Sequence, residues 1–354
     1  MSPVPAPRPD VALMAGYHSP QVAAKVRLNT NEAPGPPPPG FADRLAERVR
    51  SIEWHRYPDR GAGRLRAALA AHHGVDVSTV FAANGSNEVL QTLCLAYGGP
   101  GRAAVVFEPT YALHSHIARI AGTEVVDGER CEDFTVDLDE VKRVVAAASP
   151  VLTFLCSPNN PSGTVDPPEV LAAVLDVAPG LVVVDEAYGQ FAPRSAIDAV
   201  GPGVPLVVVR TFSKTWSMAA ARLGYCIAPP EVVDALDKVV LPYHLDAVKQ
   251  AAGELALEYA EEMRARVAAL VEERGRLSHR LADLDVDVFP SGANFLLFRP
   301  RRVGATEVWQ GLLERSVLVR DCSLWPRLDG CLRVTVGTPD EDDAFVAALA
   351  EVLA

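Results

Sequence analysis

The sequence lacks the features that mark membrane, secreted and metal-binding proteins. No apolar run approaches the roughly 18–20 residues that a membrane-spanning helix requires. The first ten residues, MSPVPAPRPD, contain prolines rather than the apolar stretch of a signal peptide. The six cysteines form no CxxC pair and most lie in apolar runs, so we expect free, buried thiols and no metal site in a cytoplasmic protein. They are Cys94, Cys131, Cys156, Cys226, Cys322 and Cys331.

An excess of basic residues is also missing, since the formal net charge is −12 at pH 7. Without a basic stripe or zinc-ligand spacing, the chain has no feature that favours nucleic-acid binding. The hydrophobic content of 49% and the charged content of 22% are ordinary for a soluble globular protein. At 354 residues the chain is longer than one hydrophobic core usually supports, so we expect two domains.

Short apolar runs alternate with helical patterns from about residue 78 to residue 230. Helices are predicted at 87–97 and 168–177. This alternation is typical of an α/β fold in which helices cover both faces of a mainly parallel sheet. The predicted strands are 103–107, 151–155, 181–184, 206–209 and 223–228.

The pattern changes after residue 243. Residues 247–284 predict one or two long amphipathic helices, followed by strands at 294–298, 317–320 and 331–336 and a helix at 341–353. This succession predicts a smaller α+β domain. The proline-rich stretch 34–39 favours an extended strap. We therefore expect a strap at 1–40, a large cofactor-binding domain at 41–242 and a small domain at 243–354, against which the strap packs.

Lys214 is the most informative residue, because hydroxyl side chains precede it and an arginine follows it. Thr211 and Ser213 come just before it, and Arg222 lies eight residues after it. An aldehyde cofactor that carries a phosphate needs these groups. The amine would bond to the aldehyde carbon, and the hydroxyls and guanidinium would hold the phosphate.

Polar groups also follow the other predicted strands. Asp185 ends the strand at 181–184, where it is either an N-cap or strand-end carboxylate or the partner of a pyridine nitrogen. Tyr188 and Asn160 would both reach a phenolic oxygen on the same ring. The Asn160–Pro161 bond is a candidate for cis geometry, because prolines bracket Asn159 and Asn160.

A helix start and an aromatic residue add two weaker signals. Ser86 and Asn87 open the helix after Gly85, where backbone N–H groups could hold a phosphate, although Ser and Asn are common N-caps. Tyr111 is placed to stack on a cofactor ring, but an aromatic residue after a strand is more often part of a core.

These motifs, in this order, resemble the pyridoxal-phosphate-dependent aminotransferases of fold type I. They are GSNE (85–88), PTY (109–111), SPNNPSG (157–163), DEAY (185–188) and SKTWSMAAARLG (213–224). More narrowly, the chain is similar to the histidinol-phosphate aminotransferases, through YHS (17–19), LNTNE (28–32), HRYPD (55–59), VRD (319–321) and CLRVTVG (331–337). Two departures are Ala33, where the family often has asparagine, and the lack of a glycine just before Arg222.

The resemblance implies a role for each candidate residue. Lys214 would bind pyridoxal 5'-phosphate and act as general base, Asp185 would pair with the ring nitrogen, and Asn160 and Tyr188 would contact the ring oxygen. Tyr57 would reach the phosphate of a neighbouring subunit, which implies a homodimer. The phosphate would be bound by Ser86, Asn87, Thr211, Ser213 and Arg222, and the substrate by Arg333, Arg320, Tyr17 and Asn31.

The expected reaction is amino exchange between histidinol phosphate and 2-oxoglutarate, in two half-reactions that share one pocket. A guanidinium such as that of Arg333 suits both substrates, because its fork binds phosphate or carboxylate. An aromatic amino acid aminotransferase, a phospho-amino-acid decarboxylase and a non-catalytic cofactor-binding regulator are the alternatives. Arg320, as a second cation, favours the phosphorylated substrate over the aromatic one.

Overall fold

The structure is a computed structural model that describes residues 4–12, 14, 16 and 22–354. Its strands in this part of the chain are β1 (Val26–Arg27), β2 (Val80–Ala83), β3 (Ala103–Glu108), β4 (Glu124–Glu129), β5 (Leu152–Cys156), β6 (Leu181–Asp185), β7 (Leu206–Thr211), β8 (Gly224–Ile227), β9 (Val286–Val288), β10 (Phe295–Pro300), β11 (Val317–Leu318), β12 (Arg320–Asp321) and β13 (Leu332–Thr335). Its α-helices are α1 (Pro9–Ala12), α2 (Phe41–Arg50), α3 (Gly63–His73), α4 (Ser86–Tyr97), α5 (Leu113–Ile120), α6 (Leu138–Ala148), α7 (Pro168–Val177), α8 (Pro230–Val239), α9 (Ala247–Leu257), α10 (Ala260–Ala282), α11 (Ala305–Glu314) and α12 (Pro339–Leu353).

A seven-stranded sheet in the order β2-β8-β7-β6-β5-β3-β4 forms the centre of the large unit. Only β8 runs antiparallel to its neighbours in this sheet. Val182 and Val184 of β6 face a core with α3, α6, α7 and α9, whereas Val183 faces a core with α4, α5 and α8. Because successive strand residues point to opposite faces, this apolar run covers both cores. The predicted α/β class and its mainly parallel sheet are confirmed.

The predicted strand at 223–228 is present but antiparallel, and two strands of the large sheet were not predicted. Strand β4 is an edge strand whose polar residues interrupt the apolar pattern. Strand β2 has only four residues and two of them are alanine, which has a low β-propensity, so its apolar run is a weak signal. The apolar pattern of the sequence therefore does not reveal either β2 or β4.

A second, antiparallel sheet in the order β12-β13-β10-β9 forms the smaller unit, with its own core. The single strand predicted at 317–320 is wrong. Its first half, β11, pairs with β1 of the strap, and Arg320 in β12 pairs with Arg333 in β13. The strap therefore joins the small unit. Leu255 of α9 lies in a core of the large sheet, and the domain division at 242/243 stays a prediction.

The expectation of buried thiols is correct for five cysteines and wrong for Cys131, which is exposed. Cys131 lies just past the edge strand β4, in a turn where its N–H donates to the carbonyl oxygen of Thr135 at 2.8 Å. Among the described residues, no helix combines the length and the apolar character needed to cross a membrane.

Candidate active site

A cleft of about 420 Å³ lies where the carboxyl ends of β3, β5, β6 and β7 meet the strap and the small sheet. This is the edge at which parallel sheets commonly bind ligands. The structure brings thirteen of the predicted site residues together in this cleft. They are Asn31, Ser86, Asn87, Tyr111, Asn160, Asp185, Tyr188, Thr211, Ser213, Lys214, Arg222, Arg320 and Arg333.

Two predicted site residues are not in this group. Tyr57 does not line the cleft of its own chain. Its side chain is 80% exposed, and its ring stacks on that of Tyr243 with the centroids 4.5 Å apart. Tyr17 lies outside the residues that the structure describes. The roles predicted for these two tyrosines therefore stay predictions.

Lys214 follows β7 and directs its amine into the cleft, where Nζ donates to the carbonyl oxygen of Thr30 at 3.0 Å. Burial lowers the pKa of this ammonium to about 7, and the positive charges of Arg333 and Arg222 act in the same direction. The carboxylate of Glu32 opposes them. Near neutral pH a substantial fraction of the amine is therefore neutral, as a nucleophile or a proton acceptor must be.

Asp185 ends β6 and is buried. Its Oδ1 accepts a hydrogen bond from the N–H of Ala187 at 3.0 Å, and its Oδ2 lies 3.0 Å from Nε2 of His114. No α-helix begins at Asp185, and the short 3-10 helix that follows has Tyr188 as its N-cap residue. A local turn therefore uses one oxygen, and His114 contacts the other beside the cleft.

His114 is a site residue that the sequence interpretation missed. Its ring is fully buried in α5, parallel to the ring of Phe154 at a centroid distance of 5.1 Å, with the edge of Tyr111 at 5.4 Å. A single histidine on an apolar helix face gives no sequence signal. The only local hint is Tyr111, three residues earlier and just before α5 begins, whose ring contacts that of His114.

An anion cradle forms where β7, β8 and the start of α4 meet. Thr211 Oγ1 donates to Ser213 Oγ at 3.0 Å, and Arg222 Nη1 donates to the same Ser213 oxygen at 3.3 Å. A Cβ atom at Gly224 would lie 2.3 Å from the backbone nitrogen of Ser86, and one at Gly85 would lie 3.0 Å from Arg222 Nη2. Glycine at both positions lets hydroxyls, a guanidinium and a helix N-terminus converge on one anion.

A second polar network joins the strap to the cleft. Asn31 Nδ2 donates to the hydroxyl of Tyr188 at 2.9 Å, while the backbone N–H of Asn31 donates to Thr335 Oγ1 at 2.9 Å. Burial raises the pKa of the Tyr188 phenol, which keeps it protonated at neutral pH. Asn160 accepts a hydrogen bond from Arg333, and the Asn160–Pro161 peptide bond is cis, as predicted.

Arg320 and Arg333 lie opposite each other on β12 and β13. Arg333 Nη2 donates to the carbonyl oxygen of Asn29 at 3.0 Å, which orients its guanidinium. The ring of Trp325 lies 5.2 Å from the guanidinium carbon of Arg320 and 6.0 Å from that of Arg333. Trp325 and Glu32 line the cleft but were assigned no role from the sequence.

The family model described as aminotransferase class I and II matches residues 23–349. The chain belongs to this family. The prediction that it is a transaminase is confirmed.

Two relatives with the name histidinol-phosphate aminotransferase support this assignment. The protein from Frankia casuarinae is 46% identical, over 96% of this chain and 88% of its own. The protein from Nocardia farcinica is 46% identical, over 93% of this chain and 87% of its own. The predicted resemblance to this family is confirmed.

A solved structure agrees with the fold. The histidinol-phosphate aminotransferase from Sinorhizobium meliloti, in complex with pyridoxal-5'-phosphate, superposes with a TM-score of 0.89 at 24% identity and covers 99% of this chain and 98% of its own. This match confirms the predicted arrangement of a large and a small unit as an aminotransferase fold.

Proposed function

We propose that this transaminase exchanges the amino group between L-histidinol phosphate and 2-oxoglutarate, with pyridoxal 5'-phosphate as cofactor. The observation that carries the proposal is the in-register pair Arg320 and Arg333, which lines the same cleft as Lys214. The cradle of Ser86, Thr211, Ser213 and Arg222 is a separate anion site. The cleft therefore has one anion site for a cofactor and another for a substrate.

The residues present fit pyridoxal phosphate. The cradle offers hydroxyl, guanidinium and backbone donors to a phosphate, and its two glycines leave the space that a Cβ atom would fill. Asp185 supplies a buried carboxylate for a protonated ring nitrogen. Asn160 and Tyr188 line the same cleft and would contact the ring oxygen, and Tyr111 would form a wall for the ring. When bound, the cofactor would supply an electron sink for the charge that develops at the α-carbon of the substrate.

In the proposed reaction, Lys214, Asp185 and Arg333 have separate roles. The amine of Lys214, with its pKa lowered to about 7, would take the proton from the α-carbon of the donor and return it to the carbon that was the aldehyde carbon of the cofactor. Asp185 would pair with the ring nitrogen of the cofactor, and His114 contacts one of its carboxylate oxygens. Hydrogen bonds to Asn160 and Asn29 fix the orientation of the Arg333 guanidinium. It would therefore bind the distal anion of a substrate in a single orientation.

Histidinol phosphate and glutamate differ in their anions, because the first carries a phosphate and the second carries two carboxylates. A guanidinium binds either anion bidentately. An aromatic amino acid needs one carboxylate anchor, which Arg333 alone would supply, so the second guanidinium favours the phosphorylated donor. A decarboxylase would use the same residues. Spectra of the cofactor with histidinol phosphate, phenylalanine, glutamate and O-phosphothreonine in turn separate these activities.

Replacing Arg320 by alanine tests the phosphate assignment. We expect kcat/KM for histidinol phosphate to fall roughly tenfold or more, because a hydrogen bond to a charged group is lost. The loss for phenylalanine should be smaller, since it has no phosphate. Arg301→Ala is the matched control, because this exposed arginine pairs with Asp287 and does not line the cleft. If phenylalanine is the better donor of the wild-type protein, or if both donors lose equally, the aromatic aminotransferase becomes the better account.

We also propose a homodimer in which Tyr57 of one chain completes the cleft of the other. The exposed, stacked rings of Tyr57 and Tyr243 support this proposal, because Tyr57 does not line the cleft of its own chain. Light scattering should give twice the chain mass of 37.8 kDa. A fully active monomer would contradict the proposal.

A complementation experiment tests whether Tyr57 serves the cleft of its own chain or the cleft of the other chain in the dimer. Tyr57→Ala and Lys214→Ala chains, each weakly active alone, are co-expressed with different tags and the mixed dimers are purified. If Tyr57 acts across the interface, each mixed dimer has one intact site and regains activity. If Tyr57 acts within its own chain, no site is intact and activity stays low.

A further inference from the structure

Trp325 lies at the boundary between two cavities. It lines the cleft, and it also lines a neighbouring cavity of about 410 Å³. Three carboxylates, those of Glu108, Asp127 and Glu129, line this neighbouring cavity with two arginines. Trp325, together with Ala112, therefore lies between the guanidinium pair of the cleft and a cavity in which acidic groups outnumber basic ones.

The loop that carries Trp325 is held in place from both sides. The N–H of Trp325 donates to the carbonyl oxygen of Cys322 at 2.9 Å, and its own carbonyl oxygen accepts from the N–H of Leu328 at 3.1 Å. Arg327 Nη1 lies 2.6 Å from a carboxylate oxygen of Glu129 in the large unit. Phe134 of the large unit packs with Leu328 in a small core against which Trp325 also packs. The position of the indole is thus set by the fold.

The ring contacts both guanidinium groups at distances typical of cation–π pairs. Its centroid lies 5.2 Å from Cζ of Arg320 and 6.0 Å from Cζ of Arg333. The ring of Phe295 lies 5.1 Å from Cζ of Arg333 as well. Aromatic contacts of this kind restrict the side-chain conformations of an arginine, because the flat guanidinium packs on the face of the ring. Both arginines are buried, so an anion bound to them would make stronger charge-assisted hydrogen bonds than one at an exposed arginine.

We infer that Trp325 is a positioning and specificity-determining residue for the phosphate end of the amino donor. Its ring packs against both guanidinium groups and lies between the cleft and the neighbouring cavity lined by Glu108, Asp127 and Glu129. Without the indole, water would enter and the phosphate would face the carboxylates of that cavity. This inference rests on the proposed function, because it assigns the phosphate of the donor to Arg320 and Arg333.

The test compares two donors that differ only in the phosphate, L-histidinol phosphate and L-histidinol. For Trp325→Ala holoenzyme we expect KM for histidinol phosphate to rise about tenfold with kcat nearly unchanged. For histidinol, both constants should change by less than about twofold. Trp325→Phe, which keeps an aromatic face, should restore most of the affinity. Leu324→Ala is the control, because this neighbouring side chain is 96% exposed.

Inorganic phosphate gives a second readout that does not depend on turnover of a phosphorylated donor. Its inhibition constant against histidinol, measured with holoenzyme whose cofactor phosphate fills the cradle, should rise about tenfold in Trp325→Ala. Equal losses for both donors, an unchanged inhibition constant, or no recovery in Trp325→Phe would overturn the inference. A wild-type protein without preference for the phosphorylated donor would instead overturn the proposed function.

Discussion

Replacing Lys214 by alanine is expected to lower the rate of amino transfer by about 10⁴-fold, since the proton acceptor and the covalent attachment point are lost together. The variant should still fold and hold the cofactor non-covalently, because the cradle of Thr211, Ser213 and Arg222 is intact. Turnover is measured with both half-reactions, and retention of the cofactor is measured by its absorbance after gel filtration.

The attachment point can also be located in the wild-type protein. Borohydride reduction followed by peptide mapping should place the cofactor on Lys214. Lys249 is the comparison, because its amine donates to Asn84 Oδ1 at 2.8 Å near the start of α4, and a label there would refute the assignment. Because burial depresses the pKa of Lys214 to about 7, loading of the apoprotein should speed up as pH rises through 7, as the ammonium loses its proton.

Replacing Asp185 by asparagine is expected to slow proton abstraction on the order of 100-fold or more, because a preorganised charge beside the reacting ring is removed. Retention of the cofactor should weaken much less, since the phosphate cradle is separate. Stopped-flow spectra of the half-reaction give the rate, and equilibrium dialysis gives the retention.

Asp246→Asn is the matched control for Asp185→Asn. Asp246 caps α9, where its side chain accepts from the N–H of Lys249, and it lies outside the cleft. If Asp185 serves only its local turn, the two variants should behave alike and keep near-native rates. A large loss in Asp185→Asn alone supports the role at the ring nitrogen.

The site residues that the sequence predicted and the structure brings together share a local property. Asp185, Thr211 and Lys214 lie at or just after the carboxyl ends of buried strands, and Ser86 opens the helix after another strand. The carboxyl ends of parallel strands lie at the same edge of a sheet. Residues that follow these ends therefore come close together, however the rest of the protein packs. The motifs therefore predicted the α/β class and most of the lining of the cleft.

The other contacts depend on residues far apart in the chain, and only the tertiary structure decided them. Asn31 reaches Thr335 across 304 positions because the strap pairs with the small sheet. His114 meets Asp185 through the packing of α5 on the large sheet, and Trp325 meets two arginines through the fold of its loop.

The sequence by itself determined the class of fold and the family, and it predicted which lysine is reactive, because strand-end chemistry is encoded locally. Tertiary structure decided the pKa of that lysine, since burial and the charges of Arg333 and Arg222 set it. It also decided that Arg320 and Arg333 lie side by side, because the register of antiparallel strands is a property of the assembled sheet.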